Sequence, residues 1–351
     1  MKAHAVVPAD VGVDRLVGWV LCHDVRGGDG KLVVRKGEIV DTASARRLVA
    51  LAGAGRDEVH LLEMEPGDLH EDVAGERLAA AAAGPGLRIR DSSGGQWALV
   101  AVSRGLVRVG VDALAAVNGL EGISVYTLYD GQVVDAGEVV AKAKVTPLVI
   151  PEGVVREAEA RAGAAGGLVT VRAFRPLRVA AVAPASLEPK ARARFEAALR
   201  EKLAWFGAML ADLAFVEADG TELATTVEGA LRRGAQLVVA AGANALDPLD
   251  PVFAALERLG GRLLRRGVPA HPGSLLWLAF LGSTPVLGMP SCGMFSQATL
   301  FDLLLPRLLA GEAVGAGELA AFGHGGLLSR EMAFRFPPYR AGQDRGALSS
   351  D

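Results

Sequence analysis

Gln236-Leu-Val-Val-Ala-Ala-Gly-Ala-Asn-Ala-Leu-Asp-Pro-Leu-Asp-Pro251 is the stretch that decides the fold. Gln236 to Ala241 is a short uncharged apolar run, the pattern of a strand covered on both faces. The Gly- and Asp-containing loop that follows leads into a helix at Val252 to Leu259, with Asp and Pro at its entrance. Upstream the same alternation repeats: a strand Arg178 to Ala183, a long amphipathic helix Pro189 to Leu213, a strand Ala214 to Glu217 and a helix Thr221 to Arg233. Downstream, Val268-Pro-Ala-His-Pro-Gly-Ser274 precedes an expected helix Leu275 to Phe280. A strand Pro285 to Leu287, the turn Gly288-Met-Pro-Ser-Cys-Gly293 and a helix Met294 to Leu309 come next. Strands alternating with helices of this length predict an α/β fold: a doubly wound, mostly parallel sheet with helices on both faces.

Ligands of such sheets lie beyond the carboxyl ends of the strands, where loops enter helix N-termini that favour anions. The third strand's loop therefore places Gly242, Asn244, Asp247 and Asp250 above the sheet. Its two carboxylates have the chemistry to bind Mg²⁺ or orient ligand hydroxyls. They equally suit capping of the next helix, with the prolines fixing the turn. His271, in a Pro-rich turn, can donate to a phosphate or serve as a satisfied polar residue, and Cys292 stands where a helix start can lower a thiol pKa. His23-Asp24 and His70-Glu-Asp72 are weaker metal candidates, read first as solvated or hydrogen-bonding groups.

The N-terminal half reads differently. Residues 1–62 form a small β-rich unit with one helix, Ala43 to Ala52, around turns such as Arg26-Gly-Gly-Asp-Gly30. Residues 63–175 form an α+β region: a helix opening at His70-Glu-Asp72, short strands within Trp97 to Val145, a helix near Val111 to Val117, and a linker helix from Ile150 to about Gly163. The α/β domain is expected over 176–325, with a tail at 326–351.

The chain has 351 residues, enough for two or three domains. With 37 Lys+Arg against 40 Asp+Glu it carries a net charge of −3, which gives no global field for nucleic acid or an anionic membrane. Its two cysteines, Cys22 and Cys292, form neither a disulfide framework nor a metal spacing. No apolar run has membrane-spanning length and no signal peptide opens the chain, so a cytoplasmic location is expected.

Taken in order, the turns resemble those of molybdopterin-binding domains. Ala241-Gly-Ala-Asn-Ala-Leu-Asp-Pro-Leu-Asp250 is similar to the family's Thr-Gly-Gly-x-Ser-x-(Gly/Asp)-x-x-Asp loop. Arg266 to Ser274 resembles its Pro-Gly turn, Val286 to Gly293 its Gly-Leu-Pro-Gly turn, and Asp302 to Glu312 its closing helix. Arg35-Lys-Gly37 and His70-Glu-Asp72 resemble a prokaryotic subgroup. The resemblance implies a molybdopterin or adenylylated-molybdopterin ligand and a molybdenumtransferase-like role with Asp247 and Asp250 as catalytic carboxylates. Mg²⁺ would sit on Asp250. Gly242, Asn244, His271, Pro272, Gly273, Ser274, Pro290, Ser291, Cys292 and Gly293 would form the pocket. It also implies a homodimer and a molybdenum-enzyme client.

The chain departs from that pattern in several places. Ala241, Ala243 and Ala245 replace Thr, Gly and Ser, and Ala183-Pro-Ala-Ser-Leu187 replaces Thr-Gly-(Asp/Ser)-Glu. The subgroup's Cys-rich tail is here Gly325-Gly-Leu-Leu-Ser-Arg330 and continues to Tyr339 without cysteine. These changes leave open a second reading, a non-catalytic assembly or carrier protein that has lost the pterin site.

Overall fold

The computed structural model describes residues 1–51, 58–92, 95–243, 245–295 and 298–339. The chain divides into two compact units. One holds Met1–Ser103, Val107–Asp130 and Val134–Val171; the other holds Arg104–Leu106, Gly131–Val133 and Arg172–Asp351.

In the first unit, Lys2–Val6, Val59–Glu63 and Val20–Leu21 form a three-stranded antiparallel sheet. The helix Thr42–Leu51 supplies Ala45 and Leu48 to the core that Leu21 and Leu61 also enter. The strand Lys2–Val6 is an addition to the sequence reading. Four antiparallel strands follow in the order Ile123–Thr127, Val139–Val145, Gln96–Ala101, Leu87–Ser92. The helices Glu71–Ala82 and Glu152–Ala164 share a core with this sheet through Ala74, Leu78, Val155 and Ala158.

The second unit is α/β. Its strands are β1 (Arg178–Pro184), β2 (Met209–Val216), β3 (Leu237–Ala241), β4 (Arg262–Arg266), β5 (Trp277–Leu281) and β6 (Thr284–Met289). They form one six-stranded sheet in the order β2-β1-β3-β6-β5-β4. The pairs β1/β2, β1/β3 and β3/β6 are parallel, while β6/β5 and β5/β4 are antiparallel. Between them run α1 (Pro189–Trp205), α2 (Gly220–Arg232) and α3 (Pro251–Arg258), followed by α4 (Leu300–Leu309).

Strand alternation assigns the two faces. Val179, Ala181, Ala183 and Val239 share a core with Phe195 and Leu199 of α1 and with Leu300 and Leu304 of α4. Val182, Val238 and Ala240 share another with Leu223 and Val227 of α2 and Val252 and Phe253 of α3. Burial of this kind contributes about 1.5–3 kcal/mol per large apolar side chain.

Three expected elements are corrected. The helix predicted from Pro189 to Leu213 stops at Trp205; Gly207 takes φ 74° and residues from Met209 extend into β2. An apolar run of this length fits either period, and parallel pairing with β1 resolves it. The helix predicted over Leu275 to Phe280 is instead β5, whose Trp277 and Ala279 face one core while Leu278 faces the other. The predicted helix Met294 to Leu309 is a short 3-10 turn, Ser291–Met294, followed by α4.

The entrance of α4 is built around Asp302, which is wholly buried. Its Oδ1 accepts from Lys202 Nζ of α1 and from the Tyr339 hydroxyl at 3.0 Å. Its Oδ2 accepts from the Thr299 amide and hydroxyl, each at 3.0 Å. A buried charge is tolerated when it is paired and hydrogen-bonded in this manner.

Candidate functional site

The order β2-β1-β3 means that the chain leaves β1 toward one edge of the sheet and leaves β3 toward the other. At such a reversal the connecting loops diverge and a crevice opens beyond the strands' carboxyl ends. A cleft of about 190 Å³ lies there. Pro184 to Ser186 end and follow β1, Val216 to Ala218 end and follow β2, and Ala241 to Ala243 end and follow β3. Asp250 to Val252 at the start of α3 complete the wall, and buried Val182, Leu223 and Ala240 form its apolar side.

Gly242 has a backbone reason to be glycine. Its φ is 76°, its amide donates to the Met289 carbonyl at 2.8 Å, and a Cβ there would lie 3.0 Å from Pro184 Cγ. It therefore holds the loop after β3 against both β6 and the end of β1.

The helix entrances beside the cleft are already satisfied by the protein's own carboxylates. Asp219 Oδ1 accepts from the amides of Thr221 and Glu222, both at 2.8 Å, at the start of α2. Those two bonds, that from Glu222 foremost, hold its carboxyl below the usual carboxylate range. Asp250 Oδ1 accepts from the Val252 amide at 2.9 Å, and Asp247 Oδ1 from the Leu249 amide at 2.8 Å. The capping role weighed in the sequence is thus present at Asp250, which lines the cleft, whereas Asp247 closes a turn within the loop and does not line it.

Among the described lining residues there is no lysine, arginine or histidine, whereas Glu217 and Asp250 contribute carboxylates. Arg192, in α1, is turned to the carbonyls of Leu187 and Ala185 and over the Phe215 ring. A phosphate in the cleft would face carboxylates without a cationic side chain in the wall, and the three helix-entry amides named above are committed. The described side chains of the wall fit a phosphate poorly, with two carboxylates against one hydroxyl. Mg²⁺ bound through one or two carboxylates takes its other ligands from substrate phosphate and water. Among the described lining residues, the Ser186 hydroxyl is the side-chain donor available to that phosphate, with no cation beside it. Among the described residues no three His, Cys, Asp or Glu side chains are grouped for a metal.

The other expected pocket residues fall elsewhere. His271 is exposed, and its backbone pairs with the segment near Leu327: its amide donates to Gly326 and its carbonyl accepts from Leu328. Pro272 accepts from the Leu300 amide at 3.0 Å, and Gly273, at φ 116°, would place a Cβ 2.9 Å from that nitrogen. This turn, ending in exposed Ser274, seats the start of α4 rather than lining the cleft. Pro290 is buried and precedes the 3-10 turn, where Ser291 and Cys292 are exposed and Gly293 packs on Met289. None of the residues 290–293 lines the cleft. Asn244 lies outside the described residues. Conversely, Ser186 and Glu217 line the cleft without having been singled out, and their position just after a strand was the available signal.

In the first unit, His70 Nε2 donates to the Gly37 carbonyl at 2.8 Å while Nδ1 accepts from the Asp72 amide at 3.3 Å. His70 therefore ties a helix entrance to the turn at Gly37. Asp24 Oδ1 accepts from the Lys36 amide at 2.9 Å, and His23 meets His60 edge to face. These are hydrogen-bonding and packing roles.

No family model and no curated protein matches the chain. Among solved structures, it is similar to the molybdopterin biosynthesis MoeA protein from Pyrococcus horikosii, with 16% identity and a TM-score of 0.31 over 72% of this chain and 81% of that one. It is also similar to MogA, with 16% identity and a TM-score of 0.26 over 38% of this chain and 92% of that one. No described helix is long and apolar enough to cross a membrane.

Proposed function

We propose that this protein serves molybdenum-cofactor assembly or delivery as a non-catalytic assembly or carrier protein, on a sheet of the molybdopterin-binding kind that no longer holds the pterin phosphate. The ordered turns of the sequence support the link to that family. The observation that carries the non-catalytic half is the cleft wall: Glu217 and Asp250 face it, no described lining residue is cationic, and Asp219 and Asp250 hold the helix-entry amides. A molybdenum enzyme is the partner expected, contacted through protein surfaces, with the protein working as a homodimer in the cytoplasm.

One observation favours the molybdopterin-binding, molybdenumtransferase-like reading: Asp250 does line the cleft, and exposed Asp247 stands in the same loop. In that reading both carboxylates act with Mg²⁺ on the adenylylated pterin. Calorimetric titration with molybdopterin and with its adenylylated form, under anaerobic conditions with and without Mg²⁺, separates the two. The non-catalytic reading expects no saturable binding of either. Saturable binding that weakens in Asp250→Ala would restore the transferase-like one.

A further inference from the structure

We propose that the outer face of the four-stranded sheet in the first unit docks an extended acidic segment of a protein partner, with its carboxylates on alternate residues. This deepens the reading of a protein that works through surface contacts, and rests on that reading for the partner's role.

The register fixes which side chains share the face. Ile123, Val125, Leu99, Ala101, Ala141 and Ala143 enter the core with the two helices, so their neighbours along each strand point the other way. Tyr126 stands opposite Lys142, Lys142 opposite Ala98 and Ala98 opposite Arg90, one row across all four strands. In the flanking rows Lys144 stands opposite Gln96, and Arg88 opposite Val100. None of these side chains is acidic.

The cations form two rails. Arg88 and Arg90 on Leu87–Ser92, and Lys142 and Lys144 on Val139–Val145, flank the central strand Gln96–Ala101. Strands about 4.8 Å apart set the rails about 9.6 Å from each other, and within a rail the positions repeat at about 6.8 Å. An extended chain lying along the central strand presents its same-side residues at that same repeat.

Arg88 and Arg90 are exposed and, like Lys142, have no ion pair among the described residues. Lys142 donates to Gln96 Oε1 at 3.4 Å, while Lys144 has the Glu71 carboxylate near it. A face that merely solvates the fold mixes both signs, as the helix Glu152–Ala164 does with Arg156 on Glu152 and Arg161 on Glu157. In a chain of net charge −3, cations gathered without carboxylates repel one another, and an acidic partner relieves that repulsion. Single-stranded nucleic acid would stack its bases on aromatic platforms. Tyr126, 46% exposed, is the one aromatic residue in these rows, and its hydroxyl donates to Gln96 at 3.0 Å. A chain of carboxylates needs no such platform.

Fluorescence anisotropy on the full chain tests this with three labelled probes: a peptide of about eight residues alternating Glu and Thr, a peptide of the same composition with its Glu residues in one block, and oligothymidylate. The expected result is saturable binding of the alternating peptide, at least about tenfold tighter than the block peptide and weakened at least about tenfold by about 0.5 M salt. Arg88→Glu combined with Arg90→Glu should lower that affinity at least about tenfold with an unchanged circular dichroism spectrum, and Lys142→Gln, on the other rail, about threefold. Arg88→Lys with Arg90→Lys should retain it. Absent binding of the alternating peptide, equal affinity for the block peptide, or unchanged affinity in either charge-removing variant overturns the proposal. Tighter binding of oligothymidylate overturns it in favour of nucleic acid. The molybdopterin titration decides the non-catalytic reading separately, so these failures leave that reading standing.

Discussion

Asp302 and Asp250 both stand at the entrance of a helix in the same unit, and each accepts from a backbone amide there. Asp302 is fully buried and also neutralises Lys202, whose side chain is only 2% exposed, while it accepts from the hydroxyls of Thr299 and Tyr339. Asp250 is half-buried at the cleft wall and gives one oxygen to Val252. The same side chain is thus a hub of the core in one place and a cap with acceptor capacity to spare in the other. The difference is what surrounds each carboxylate: water can replace any partner Asp250 loses, and cannot do so for Asp302.

The sharpest way to break that contrast is Asp302→Ala. Removing one partner of this buried ion pair should cost about 3–5 kcal/mol. Urea unfolding monitored by far-UV circular dichroism reads it directly. A loss below about 1 kcal/mol would mean that water reaches Lys202 and the hub is no hub.

Tyr339→Phe removes a single hydroxyl from the same centre and should cost about 1–2 kcal/mol at neutral pH. Burial, reinforced by the neighbouring Asp302 carboxylate, holds the Tyr339 hydroxyl well above the ordinary tyrosine range. The neutral form is the one folded. Its contribution is therefore complete below about pH 10, the unfolded value, and lost as pH rises toward the folded one. Melts between pH 8 and 11 should show wild type losing stability relative to the Phe variant; parallel curves would place the hydroxyl in contact with solvent.

Asp250→Ala should cost only about 1 kcal/mol, the usual value of a helix N-cap, and leave the fold intact. A cost like that of Asp302→Ala would erase the contrast and make the loop after β3 part of the core.

The parallel strands were legible in sequence because β1 and β3 are continuous apolar runs, which only burial on both faces explains. β2 and β5 were missed in part or whole for one reason. Residues 206–213 continue the apolar pattern of α1, and Leu275 to Phe280 is equally apolar on every period, so pairing partners elsewhere in the chain decide both. The cleft was legible at Gly242 and Asp250, which follow a recognisable strand. Glu217 escaped because it was read as the last residue of the strand Ala214 to Glu217 and not as the first residue after β2. His271 to Ser274 and Pro290 to Gly293 look like anion-binding turns locally, yet the first is committed to the start of α4 through Pro272 and Gly273, and the second packs on Met289. Local sequence does not reveal a partner that distant.

Asp219 supplies the smallest and most discriminating effect. Its carboxyl is held below the ordinary range by the amides of Glu222 and Thr221. Ionised Asp219 thus stabilises the folded state above its unfolded pKa of about 4, and this is lost as pH falls through the lower folded value. Asp219→Ala should therefore lower the melting temperature at pH 7, with the difference from wild type shrinking toward pH 2. If the difference persists at low pH, Asp219 acts through packing instead of charge. The entrance of α2 would then be free to take an external anion, and the contrast between a self-capped cleft and a buried hub would fail at its weaker end.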